Sequence, residues 1–249
     1  MSFSVLSIVN RVKLNKPLKE PHSSHSFLSD FILGSQDGLV NVLGILLGIS
    51  AATSDVRIIF VGALAALGAE SISMGAVAYT SKLARRRQYQ KAASHELLET
   101  KQDPAMEIKE VRDIFKEWGY EGTALETVTD QIASNPKAMQ EFMMSFELKL
   151  APVEKDEARR SFGVVLSSTI FGSIIPLIPF FFVTAATIAA GSIASVIVSG
   201  ALLFIIGAYE ARTTVGSVFW GGSMMTIIGL SAGFAGYLIG HLIGTVPGL

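Results

Sequence analysis

Four glutamates fall at Glu96, Glu99, Glu107 and Glu110, in two pairs of i, i+3 spacing split by Asp103-Pro104. Residues three apart on a helix point the same way, so each pair sets two like charges side by side, and a cation would relieve the repulsion. A solvated helical face explains the same spacing, and spacing alone leaves both readings open. A second pattern lies in FMMSFEL, where Glu147 follows Met143 and Met144 by four and three residues. A third lies in an apolar run, where Gly62, Ala66, Glu70, Met74 and Ala78 recur every four residues. Carboxylates are hard, charged ligands, whereas thioethers are soft and select transition metals over Mg²⁺ or Ca²⁺. The combination suits Fe²⁺ or Mn²⁺; for Met74 by itself, ordinary packing is sufficient.

Asp37 stands in another apolar run, with Gly34, Gly38 and Asn41 near its face and Asp30 two turns earlier. An ionisable side chain at mid-membrane costs roughly 2.5–3.5 kcal/mol on insertion scales, so it needs a partner or a water-filled path. Asp30 is read either as a helix cap or as part of an entrance. Two enzyme readings fail on histidine. HELLE lacks the second His of a zinc-protease HExxH. A di-iron centre needs Glu-x-x-His on facing helices, and none occurs around His22, His25, His95 or His241.

The elements that must position these side chains are set by composition. Half of the 249 residues are hydrophobic and only 16% are charged, against about 25% in soluble domains. Mean hydropathy is +0.48. The charge is concentrated: residues 81–161 hold 14 of the 20 Lys/Arg and 15 of the 21 Asp/Glu. There is no cysteine, which excludes disulfides and thiolate metal sites. A spanning helix needs about 20 apolar residues, and runs at 31–53, 58–80, 162–183, 188–208 and 215–244 supply five. The expected fold class is an all-α membrane protein of five transmembrane helices, with a cytosolic helical insertion between spans two and three. The expected divisions are 1–29, an N-terminal segment; 30–80, spans one and two; 81–161, the insertion; and 162–249, spans three to five. Residues 3–14 are read either as a surface helix or as a disordered tail.

Five spans place Arg11, Lys13, Lys16, Lys19, Lys82, Arg85, Arg86, Arg87, Lys91, Arg159, Arg160 and Arg212 on one side, and only Arg57 on the other. The positive-inside rule makes the first side cytoplasmic. Within the insertion, Asp103-Pro104 and Asn135-Pro136 read as helix starts. Ile108, Val111, Phe115 and Trp118 form one apolar stripe; Met139, Phe142, Met143, Phe146 and Leu150 form another. Ala151-Pro152 is expected to end the last helix, and the two prolines of IIPLIPF (174–180) to break the end of span three.

SQDGLVNVLGILLG, AESISMGAVAYTSK, HELLE, NPKAMQEFMMSFELKL and IIPLIPF together resemble the vacuolar iron transporter family, over about residues 30–245. The resemblance implies a homodimer that is not an enzyme and has no prosthetic group or nucleic-acid partner. It implies proton-coupled export of Fe²⁺, with Mn²⁺ or other divalent ions as further cargo, across a plasma or vacuole-type membrane. It assigns Glu96, Glu99, Glu107, Glu110, Met143, Met144 and Glu147 as cytosolic ligands. It assigns Asp37, Glu70 and Met74 to a translocation path between subunits; Asp30 and Asn41 are read from the sequence as candidates for its entrance. Here Ala66 and Ala78 occupy turns that are acidic in some branches. A membrane-anchored metal sensor or store and a passive divalent-cation channel are the alternatives.

Overall fold

The structure is a computed structural model that describes residues 22–214 and 216–246, with side chains from Phe27 onward. The segment 3–14 and the basic residues Arg11, Lys13, Lys16 and Lys19 lie outside the described residues. All regular structure among the described residues is helical. Five helical stretches are long and apolar enough to cross a membrane: Phe27–Ala52, Val56–Gln102, Glu157–Phe182, Ala185–Thr213 and Val218–Gly244. Each overlaps one of the five predicted runs.

Helix α1, His22–Ala52, is the hub. It packs against four others: α2 (Val56–Gln102), α6 (Glu157–Ile174), α7 (Ile188–Thr213) and α8 (Val218–Gly244). Its Leu39, Val42, Leu43 and Leu46 are fully buried. Apolar side chains elsewhere, such as Val61, Ile72, Ile197 and Ile227, stand exposed on the outer faces of the bundle. That distribution suits lipid as the surrounding solvent. Close approach to α6 depends on missing Cβ atoms. A Cβ on Gly38 would collide with the Thr169 carbonyl, and one on Gly172 with the Ser35 carbonyl. Two small residues thus bring the backbone beside Asp37 against the third span.

Helix α2 is 47 residues long, about 70 Å at 1.5 Å per residue. The hydrocarbon core is about 30 Å thick, so α2 leaves the membrane after its apolar run and continues, unbroken, to Gln102. The sequence suggested a span at 58–80 and a polar insertion beginning at residue 81. No Pro or Gly lies between Gly75 and Asp103, so nothing interrupts the ladder where polarity changes. Asp103 then does two things: its N–H donates to the Glu99 carbonyl (2.9 Å) and its side chain accepts from the Met106 N–H (3.1 Å). It closes α2 and opens α3, Pro104–Glu117.

The insertion continues through α4 (Gly122–Ala133) and α5 (Pro136–Phe142), the latter capped by Asn135, whose side chain accepts from Lys137 and Ala138 N–H. Val111, Phe115, Leu125, Met139, Phe142 and Met143 form its core. Trp118 and Phe146 are half exposed and meet edge to face at 4.9 Å, so the first predicted stripe buries Val111 and Phe115 and the second buries Met139, Phe142 and Met143. The chain after α5 widens into a π-helix, Met143–Glu147, and ends there, with Lys149 at φ 53°; the expected end was Ala151-Pro152. The span formed by α6 passes into a 3₁₀ segment, Ile175–Phe182. Pro176 and Pro179 lack the N–H an α-helix requires. Thr184 and Thr187 then cap each other, which supplies the boundary between spans three and four that charge does not mark.

Candidate metal sites in the membrane and in the insertion

Asp37 and Asn41 lie one turn apart on α1, facing Glu70 and Met74 one turn apart on α2. The Asn41 amide donates to Asp37 Oδ1 at 3.4 Å and to Glu70 Oε1. One Nδ2, with two hydrogens, therefore bridges two carboxylates on different helices. These four side chains line a cavity of about 620 Å³ with Ala66, Ser73, Gly44 and Ala232. Ala66 sits one turn before Glu70, and its short side chain leaves space beside the carboxylate. Asp37, Glu70 and Met74 are half buried, while Asn41 is exposed. The polar group thus opens on the outer face of a bundle whose surroundings are apolar. Asp30 lies two turns inside α1, which starts at His22, so it is not a cap. It is half buried, about 10 Å along the helix from Asp37.

The second site forms where α2, α3 and the π-helix meet. Glu96 is 3% exposed and Glu107 5%. Glu96 Oε1 and Glu107 Oε2 have no hydrogen-bond partner. Burial, a hydrogen bond with Glu107 and the charges of Glu107, Glu147 and Glu99 push the Glu96 carboxyl up to about 8. Glu110 is raised by burial and by Glu107 and Glu99. Glu147 is raised by burial and by Glu110, Glu107 and Glu99. Glu107 and Glu99 therefore act on the carboxyls of Glu96, Glu110 and Glu147 across three elements. Glu107 also lies in the first turn of α3, where the helix dipole favours an anion.

Met143 and Met144 are both buried, but differently. Met143 belongs to the aromatic core with Phe115 and Phe142, whereas Met144, 1% exposed, is outside that cluster. π-turns recur at functional sites because the extra residue re-aims side chains; here it occupies the stretch carrying Met143, Met144 and Glu147. Among the described residues, no three His, Asp or Glu side chains are drawn tightly enough to hold a metal ion unaided. The insertion gathers these acids where three elements meet without closing them on one ion. The sequence reading did not pair His95 with Glu99, but His95 Nδ1 lies 2.8 Å from Glu99 Oε2. Its i, i+4 spacing was the available signal.

The sequence profile of the VIT family matches residues 28–241. The chain is 30% identical over 227 residues to vacuolar iron transporter 2 of Oryza sativa subsp. japonica, covering 91% of this chain and 92% of that protein. It is 30% identical over 227 residues to the vacuolar iron transporter of Centaurea cyanus, covering 89% and 92%. It is 24% identical over 220 residues to vacuolar iron transporter cccA of Arthroderma benhamiae, covering 86% and 78%.

Proposed function

The chain belongs to the VIT family, whose members are transporters and not enzymes, and we propose that it exports Fe²⁺ from the cytoplasm in exchange for protons. The observation that carries this reading is that one unbroken helix bears both donor sets. Glu96 and Glu99 stand on the same α2 as Glu70 and Met74, about 33 Å apart along the axis from Met74 to Glu96. The excess of basic residues on the insertion side of the spans supports a cytoplasmic insertion. Ions arriving there meet the carboxylates of Glu96, Glu99, Glu107, Glu110 and Glu147, with Met144 as the soft donor. Binding a cation requires the ionised carboxylates, so capture displaces the proton that burial and neighbouring charge hold on Glu96.

In the membrane, Asp37, Glu70 and Met74 receive the ion. The Asn41 amide neutralises neither acid, but it fixes both relative to each other. A carboxylate that binds metal when ionised and releases it when protonated couples the two fluxes in opposite directions. Because Asn41 is exposed on the bundle's outer face, a second copy of the chain is the natural partner for this surface, and two copies would enclose one shared path. Met74 favours Fe²⁺ or Mn²⁺ over Mg²⁺.

The test is metal flux into proteoliposomes, with and without a pH gradient, for Fe²⁺, Mn²⁺, Zn²⁺ and Mg²⁺. Fe²⁺ movement that strengthens when the far side is acid, and that is lost in Asp37→Ala and Glu70→Ala, is the expected result. Flux indifferent to pH would make the protein a channel; binding without flux would make it a store.

A further inference from the structure

Two cavities meet where α2 leaves the membrane and α6 enters it. The first, about 330 Å³, is lined by Tyr79, Lys82, Arg86, Lys155 and Arg159, with Glu154 and Asp156 among the remaining residues. The second, about 350 Å³, is lined by Ala76, Tyr79, Thr80, Arg159 and Phe162. Tyr79 and Arg159 belong to both, so a polar chamber and a largely apolar groove share a wall. Neither belongs to the metal sites.

The charges need careful accounting. Lys82 is committed to Glu157 at 2.5 Å. Among the described residues, Arg86, Lys155 and Arg159 form no ion pair, and neither do Glu154 and Asp156. Among the described residues, three cations without an ion pair thus face two such acids, both of the latter on the exposed linker before α6. The position along the helices is equally informative. Tyr79 and Lys82 bracket the end of the second apolar run, and Arg159 precedes the start of the third. That is the depth of lipid phosphates, where Tyr anchors and Arg and Lys reach up to the interface.

We propose that this paired cavity is a binding site for an anionic phospholipid of the leaflet facing the insertion. Its phosphate would sit among Arg86, Lys155 and Arg159, and an acyl chain would lie in the groove of Ala76, Thr80 and Phe162. The apolar groove is what distinguishes a lipid from free phosphate, and the excess of unpaired cations is what distinguishes an anionic from a zwitterionic headgroup. A lipid held there touches both α2 and the Val153–Asp156 linker that follows the π-helix. It would pin the segment carrying Met144 and Glu147 beside the helix carrying Glu96.

The experiment is native mass spectrometry and thermal unfolding of the full chain in a neutral detergent, with phosphatidylglycerol or phosphatidylcholine at equal mole fraction, or with inorganic phosphate. Retained phosphatidylglycerol and a raised Tm are expected, with little effect of phosphatidylcholine or phosphate. Arg86→Gln/Arg159→Gln should weaken retention by about thirtyfold, the worth of two surface arginines. Lys109→Gln/Lys116→Gln, elsewhere on the insertion, should leave it unchanged. Ala76→Trp, which fills the groove and keeps every charge, should also reduce retention and serves if the double variant fails to fold. Equal retention of phosphatidylcholine, stabilisation by phosphate alone, or retention unchanged in Ala76→Trp would overturn the proposal.

Discussion

Glu96 is the residue whose environment makes the most definite demand. Its carboxyl is raised from the ordinary 4.5 to about 8 by burial, by Glu107 and by the neighbouring charges. The folded metal-free protein therefore holds a proton that the unfolded chain releases. Its contribution to stability is full below about pH 4.5 and is lost as pH climbs through about 8. Metal binding has the opposite slope, since ligands must be ionised. Calorimetric titration with Mn²⁺ should show affinity rising from pH 5.5 to 8.5, with Glu96→Gln flattening the rise; a pH-independent affinity would remove Glu96 from the site. The two adjacent methionines should separate by phenotype. Met143→Ala opens a hole in the aromatic core and should cost about 2–5 kcal/mol in unfolding. Met144→Ala lies outside that core, and its larger effect should be on Fe²⁺ affinity measured at equal protein integrity. The sequence already placed Met143, but not Met144, on the apolar stripe with Met139, Phe142, Phe146 and Leu150, so their separation was legible in its periodicity. The π-turn was not, because it depends on what α5 packs against and leaves no periodic trace.

Among the elements, α2 bears most of the proposed mechanism. Its apolar run and its acidic end were each legible, because hydropathy and i, i+3 spacing are local patterns. Their union was not, since a change of polarity resembles a boundary even when no backbone breaker accompanies it. The absence of Pro and Gly between Gly75 and Asp103 was the evidence for continuity. An unbroken helix fixes rotation as well as distance, at 3.6 residues per turn. Inserting one Ala after Arg87 would turn everything beyond it by about 100° relative to the membrane. The expected result is that Mn²⁺ still binds the insertion while Fe²⁺ flux falls by an order of magnitude or more; undiminished flux would mean that α2 is not the connecting element. The α1–α6 contact offers a second test. Gly172 lies against the Ser35 carbonyl, so Gly172→Leu should destabilise by about 1–3 kcal/mol through overpacking and displace Asp37. Thermal unfolding in detergent and flux should both report it.

At the scale of the whole molecule, the unresolved energy is an exposed amide and two half-buried acids on the outside of an apolar bundle. Lipid cannot hydrogen-bond Asn41, and charged or polar groups within spans face protein or water. A single copy therefore leaves these polar groups in the wrong solvent. Pairing two copies through α1 and α2 removes the conflict, because each would offer the other the same small and polar surface under two-fold symmetry. Gly44 and Ala66 beside the acids permit the close approach such a contact needs. Light scattering corrected for detergent should give about twice the 26.6 kDa chain mass. The chain has no native cysteine, so Ile45→Cys, at the cavity rim and 38% exposed, supplies a clean reporter. Oxidation should link two copies in the bilayer, and excess Fe²⁺ should change the rate. A monomer by mass, with no cross-link from Ile45→Cys or from Ala69→Cys on the facing helix, would require water inside a single bundle to solvate Asn41. The shared path would then have to be abandoned even if transport itself were intact.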